Sequence, residues 1–179
     1  MKKLFTFITL LIGFQAQAGL ISIELDTSNV IVGDTVEVSV IGTGFTNFDT
    51  LSLDIAFDTD LFELDALSIG GDLYDSLPFI FNVTPQAFGV AVAYLDFVAF
   101  SGGDFTIVRF SVNALDAGQS NFNMENIIAA EFVVGELDVA IDSGQASATV
   151  NAVNVIAPNT LSIILMVAIT FIGVRRFNR

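Results

Sequence analysis

Apolar and polar residues alternate with a period of two along several stretches of this chain. Thr35 to Ile41 places Val36, Val38 and Val40 on one face and Glu37 and Ser39 on the other. Leu51, Leu53, Ile55 and Phe57 alternate in the same way with Ser52, Asp54, Ala56 and Asp58. A third run sets Thr106, Val108, Phe110 and Val112 opposite Ile107, Arg109, Ser111 and Asn113, and a fourth covers Ala146 to Ala152. Further apolar runs lie at Leu20 to Leu25, Phe62 to Ile69, Phe79 to Val83, Phe88 to Leu95, Ile127 to Val134 and Leu137 to Ile141. Turn residues separate them, at Gly33-Asp34, Gly42 to Gly44, Gly70-Gly71-Asp72, Gly102-Gly103-Asp104 and Ala117-Gly118-Gln119. The pattern predicts an all-β chain of about nine or ten short strands packed as a sandwich, since no long helical period competes with it between the termini.

The two ends depart from this pattern. Lys2 and Lys3 precede the apolar run Leu4 to Phe14, and Gln15-Ala16-Gln17-Ala18 follows it. Ala16 and Ala18 form an A-x-A site, so residues 1–18 read as a secretory signal peptide cleaved after Ala18. At the other end Leu161 to Val174 carries no charge and Arg175, Arg176 and Arg179 close the chain. As a helix that stretch spans about 21 Å, short of the roughly 30 Å hydrocarbon core, and a start at Pro158 begins to make up the difference. The closing arginines favour the cytoplasmic side, which leaves the rest of the chain outside. A short apolar helix followed by a basic cluster resembles the PEP-CTERM sorting signal of Gram-negative bacteria. Pro158, Thr160 and Leu161 match its motif, while Ala157 and Ile156 stand where the signature Glu and first Pro are expected. That resemblance implies an exosortase as a processing partner and at least transient residence in the inner membrane. A permanent short anchor and a buried terminal helix are the competing readings. The expected organisation is therefore 1–18 signal peptide, 19–153 sandwich and 154–179 sorting or anchoring segment.

Charge sharpens the picture of the middle. The chain carries six basic and twenty acidic residues, and five of the bases lie at the ends. Between them twenty acids face the single base Arg109, a net charge of −19. Such a surface repels nucleic acid and anionic lipid and attracts cations or basic partners. The chain has no Cys and no His, which removes thiol and imidazole nucleophile systems and leaves only oxygen ligands for metals. Without disulfides the exported domain depends on its core alone.

Three constellations are candidates for chemistry. Asp54, Asp58, Asp60 and Glu63, with Asp65 nearby, form an acid cluster at a strand end that fits a hard cation such as Ca²⁺. The competing reading is solvated acids with Asp58 capping the turn. The Gly-Gly-Asp turns lack a P-loop Lys and a following helix, so they read as backbone geometry. Phe105 and Ile107 beside Arg109, on the face opposite Val108 and Phe110, form a candidate partner-binding strip. Acid pairs suited to glycoside hydrolysis carry no information among twenty acids.

The order of motifs resembles a cohesin domain. Ile21 to Leu25, then Val32-Gly33-Asp34-Thr35-Val36-Glu37-Val38, then Leu51 to Asp58 running into Thr59 to Leu64, are similar to the opening half of that family. Gly103 to Val112 resembles its Gly-initiated central strand, and Ala146 to Val150 its closing strand. The resemblance implies a jelly-roll sandwich of about nine strands acting as a non-catalytic adhesion module, for dockerins or for polysaccharide. The expected function is therefore an exported, non-catalytic binding protein of the cell surface or matrix, whose sandwich adheres to polysaccharide or to another exported protein. The alternative is an accessory or catalytic module of extracellular polysaccharide degradation, which the scarcity of aromatic sugar platforms with a polar handle disfavours.

Overall fold

The computed structural model describes residues 19–153, which hold twelve strands and one short helix. The strands are β1 (Gly19–Leu25), β2 (Asn29–Ile31), β3 (Thr35–Phe45), β4 (Phe48–Ala56), β5 (Phe62–Gly70), β6 (Ile80–Gln86), β7 (Gly89–Phe100), β8 (Gly103–Ala114), β9 (Gly118–Glu131), β10 (Gly135–Glu136), β11 (Val139–Ser143) and β12 (Gln145–Asn151). Helix α1 (Asp72–Asp75) lies between β5 and β6. Among the described residues no helix is long and apolar enough to cross a membrane. The signal-peptide residues Ala16 and Ala18, and Pro158, Thr160, Leu161, Arg175 and Arg176 of the tail, lie outside the described residues.

The strands form two sheets. One has five strands in the order β11-β1-β3-β8-β5; the other has seven, in the order β2-β12-β9-β4-β7-β6 with β10 on β9. Pairing is antiparallel except for β1 with β11 and β2 with β12. The inward faces meet in one apolar core, as the alternation predicts. Val36, Val38 and Val40 of β3 are fully buried, and Leu51, Leu53 and Ile55 of β4 face them from the other sheet.

Aromatic rings fill the core at both ends of β4. At its start the Phe48 ring lies 5.4–5.7 Å from those of Phe45, Tyr94, Phe100 and Phe105. Beyond its end Phe122 sits 5.2 Å from Phe57 and 5.4 Å from Phe62. Edge and tilted geometries of this kind stabilise beyond simple burial. The β6–β7 hairpin closes on Gly89 at φ 130°, where an added Cβ would meet the Ile55 carbonyl oxygen at 2.0 Å. Only glycine fits a backbone approach this close.

Two expectations need correction. β8 takes in an extra residue against β3, because Val40 pairs with Val108 but Ile41 pairs with Thr106. This β-bulge turns Ile107 inward beside Val108, and Phe105 also points into the core, where its ring stacks on Phe48. The expected outer strip of Phe105 and Ile107 therefore does not exist, and only Arg109 of the three is exposed. The apolar run Ile127 to Val134 is not one strand either. β9 begins earlier, at Gly118, and ends at Glu131, leaving Phe132, Val133 and Val134 in a tight turn.

Candidate functional site

The acid cluster expected to hold a metal is dispersed by the topology. Asp54 lies on the outer face of β4 directly opposite Glu125 of β9, and its carboxylate accepts a 2.7 Å hydrogen bond from the Asn126 side-chain amide. Asp58 builds the turn that carries the chain from one sheet to the other: its Oδ1 accepts the Asp60 N–H at 2.9 Å, and its carbonyl accepts the N–H groups of Leu61 and Phe62. Glu63 has already crossed to the five-stranded sheet, where it pairs with Asn113. Among the described residues no group of three or more acids is placed to hold a metal ion. Asp58 is thus a turn cap, and Asp54, Asp60 and Glu63 are separate surface acids. Arg109 stands 3.7 Å from Glu37 in a half-exposed ion pair, an arrangement that contributes little stability.

The feature the sequence did not reveal is a cleft of about 590 Å³ at one end of the seven-stranded sheet. It is lined by Asp49 and Thr50 of β4, Leu95, Asp96, Phe97 and Ala99 of β7, and Glu131, Phe132 and Val133 at the end of β9. A break in the β4–β7 ladder makes it. Phe48 pairs with Phe100 and Thr50 with Leu95, so four residues of β7, Asp96 to Ala99, face Asp49 alone. These residues bulge from the sheet and carry Phe97 and Val98 into solvent, 77% and 74% exposed. The opposite wall is the β9–β10 turn, whose Phe132 and Val133 are 92% and 88% exposed.

Asp49 holds the β9–β10 wall in place. It is buried, its Oδ2 accepts the Phe132 N–H at 2.6 Å, and its Oδ1 accepts the Thr50 hydroxyl at 3.0 Å. On the β7 side Asp96 accepts the Phe97 N–H at 2.7 Å. The Val134 N–H donates to the Glu131 carbonyl at 3.0 Å and closes the turn, with Gly135 at φ 97°. Phe79, ahead of β6, packs its ring 4.6 Å from Phe97 and extends the apolar surface. Burial, reinforced by the Asp96 charge, raises the pKa of the Tyr94 phenol above its ordinary value, while a hydrogen bond with Ser76 opposes the shift.

No protein-family model and no curated protein matches this chain. Solved structures do. A type II cohesin domain from the cellulosome of Acetivibrio cellulolyticus aligns at 14% identity and TM-score 0.61, over 73% of this chain and 95% of that one. The fold is cohesin-like. A type I cohesin–dockerin complex from Clostridium thermocellum gives 11% identity and TM-score 0.60 over 79% of this chain and 99% of that one. A non-cellulosomal cohesin from the archaeon Archaeoglobus fulgidus gives 14% identity and TM-score 0.57, covering 75% and 91%. At these identities the likeness establishes the cohesin-like sandwich itself.

The cleft is mixed in character. Large exposed aromatic and aliphatic side chains supply contact area, and the carboxylates beside them supply charge that can orient a ligand.

Proposed function

We propose that this chain is an exported, non-catalytic binding protein whose cohesin-like sandwich holds another exported protein. The observation that carries the reading is the apolar collar of Phe79, Phe97, Val98, Phe132 and Val133 around one cleft. An exposed apolar surface of this extent at one place marks an interaction site rather than scattered surface hydrophobes. The cohesin–dockerin complex among the similar structures adds an analogy of fold for partner binding.

Export rests on the A-x-A site at Ala16 and Ala18, and surface attachment in a Gram-negative bacterium on Pro158, Thr160, Leu161, Arg175 and Arg176, with an exosortase as processing partner. The sandwich suits such tethering. β12 ends beside Gly118 at the start of β9, whereas the cleft lies at the Glu131 end of that strand, about 40 Å away at roughly 3.3 Å per residue. A chain held through the residues after Asn151 points its cleft away from the attachment surface.

Adhesion to exopolysaccharide is the second reading. The tilted Phe79–Phe97 pair, 51° between ring planes, offers no flat platform for a sugar, and phenylalanine has no polar handle.

A photo-crosslinking residue at position 97 or 132 of the full chain in living cells tests the proposal. The expected result is a discrete adduct with one exported protein, absent when the probe sits at Leu67, an exposed site on the five-stranded sheet. Equal labelling from position 67, or no adduct from 97 and 132, overturns it.

A further inference from the structure

The cleft sets hydrocarbon and negative charge side by side. Leu95, Phe97, Phe132 and Val133 provide the apolar walls, Asp49, Asp96 and Glu131 the carboxylates, and no base lines it. Its volume of about 590 Å³ falls within the ~300–1,000 Å³ typical of ligand clefts and accommodates a large side chain with its neighbours.

The charges select among occupants. A metal ion would need its carboxylates to converge, and no such group exists among the described residues. The described residues of a second copy would bring twenty acids and one base, Arg109, which already stands beside Glu37, so between two sandwiches carboxylates would meet carboxylates. Anionic lipid meets the same repulsion. A polypeptide with an apolar side chain between two cations satisfies both chemistries at once. Its ring or aliphatic group covers Phe97 and Phe132, and its cations face Asp96 and Glu131 at the rim.

We infer that the cleft takes a segment of another exported protein in which an aromatic or long aliphatic side chain is flanked by lysine or arginine. The inference rests on reading the chain as a protein-binding module and names the chemistry of the partner. The buried carboxylate of Asp49 fixes the Phe132 wall through its backbone N–H, so the cleft is preorganised rather than formed on contact.

Capped Lys-Phe-Lys, Glu-Phe-Glu and Lys-Gly-Lys tripeptides are titrated into the full chain in neutral detergent micelles. Backbone NMR signals of residues 96–99 and 131–134 report binding. The expected result is saturable binding of Lys-Phe-Lys alone, weakened roughly tenfold by Phe132→Ser and by Asp96→Asn with Glu131→Gln, and weakened by 0.5 M salt. Equal binding of Glu-Phe-Glu or Lys-Gly-Lys overturns the inference, as does affinity unchanged by both variants. Retention of the chain by zwitterionic vesicles with no peptide binding overturns it in favour of lipid. If no peptide binds while the crosslinker at position 97 still captures one exported protein, the partner chemistry is wrong and the binding module stands. If both experiments fail, the module reading fails with it.

Discussion

In β8 the ladder against β3 takes in one extra residue, Ile107, whose side chain is fully buried; in β7 the ladder against β4 takes in Asp96 to Ala99, and Phe97 and Val98 stand in solvent. Position in the sheet decides the difference. β8 lies between β3 and β5, with the other sheet packed over its inner face, so its extra residue has apolar surroundings to enter. The β7 bulge lies at the end of the seven-stranded sheet, where four residues cannot fit against one and the chain loops outward. One break tightens the core and the other opens a cleft. Bulges of both kinds re-aim side chains, and only the second leaves apolar area uncovered.

The largest expected effect breaks this comparison if it is wrong. Ile107→Asp places an unpaired carboxylate in the core and costs more than about 4 kcal/mol, enough to unfold a domain of ordinary stability. Ile107→Ala costs roughly 2–5 kcal/mol. Phe97→Asp and Phe97→Ala stay within about 0.5 kcal/mol, because Phe97 is already in water. Urea denaturation of the four variants measures all of these values. A Phe97 variant as damaging as its Ile107 counterpart would show that the second bulge is structural.

These two strands also mark where the sequence stops being informative. β3 from Thr35 to Gly42 and β4 from Thr50 to Ala56 keep strict alternation, so their buried faces were readable there from residue type alone. In β8 Phe105-Thr106-Ile107 follows one phase of that period and Val108 to Val112 follows the other, because the inserted residue shifts the phase. The signal was present as two adjacent β-branched residues, Ile107 and Val108, inside an alternating run. Strands β2 and β10 and helix α1 are too short to show any period. The cleft was hidden for another reason: Phe97, Val98 and Phe132 to Val134 have the composition of core, and burial depends on what packs above them. Asp96, Glu131 and Gly135, which punctuate those runs, were the available hint that the strands end there.

The next effect concerns what supports the open bulge. Asp49→Ala removes a buried acceptor and leaves the Phe132 N–H without its partner, which costs about 1–3 kcal/mol. Hydrogen exchange locates the loss. The Phe132 and Val134 amides lose protection, while Val108 and Phe110 on β8 follow only the global decrease. Uniform loss of protection across both sheets would mean that Asp49 supports the whole sandwich.

Charge gives a smaller contrast. The β8 side has one ion pair, Arg109 with Glu37, whereas the β7 end gathers Asp49, Asp96 and Glu131 with no base. Salt at ~0.5 M screens charges beyond a few ångströms, so the melting temperature rises by about a few degrees. Asp96→Asn reduces that rise, and Arg109→Ala leaves it nearly unchanged. A melting temperature that falls with salt would show that attraction, not repulsion, dominates the domain.

The smallest effect appears only in alkali. Tyr94 is the last buried residue of β7 before the bulge; burial first, and the Asp96 charge next, raise its pKa above the usual ~10, the Ser76 hydrogen bond pulling the other way and Asp49 adding to the rise. The raised value means that the fold favours the neutral phenol. Its contribution is complete below about pH 10 and is lost as pH climbs from there through the folded-state value, because the unfolded chain then releases a proton the folded chain retains. Tyr94→Phe keeps the ring beside Phe48 and removes the titration. The difference in denaturation midpoint between wild type and Tyr94→Phe should therefore be flat from pH 7 to about 9.5 and then shift against the wild type. Exchange at the β7 amides should accelerate before that at β8, since the ionising group lies beside the open bulge. Parallel behaviour of the two proteins across the whole range would place the Tyr94 hydroxyl in contact with water and remove the electrostatic distinction between the two ends of β7.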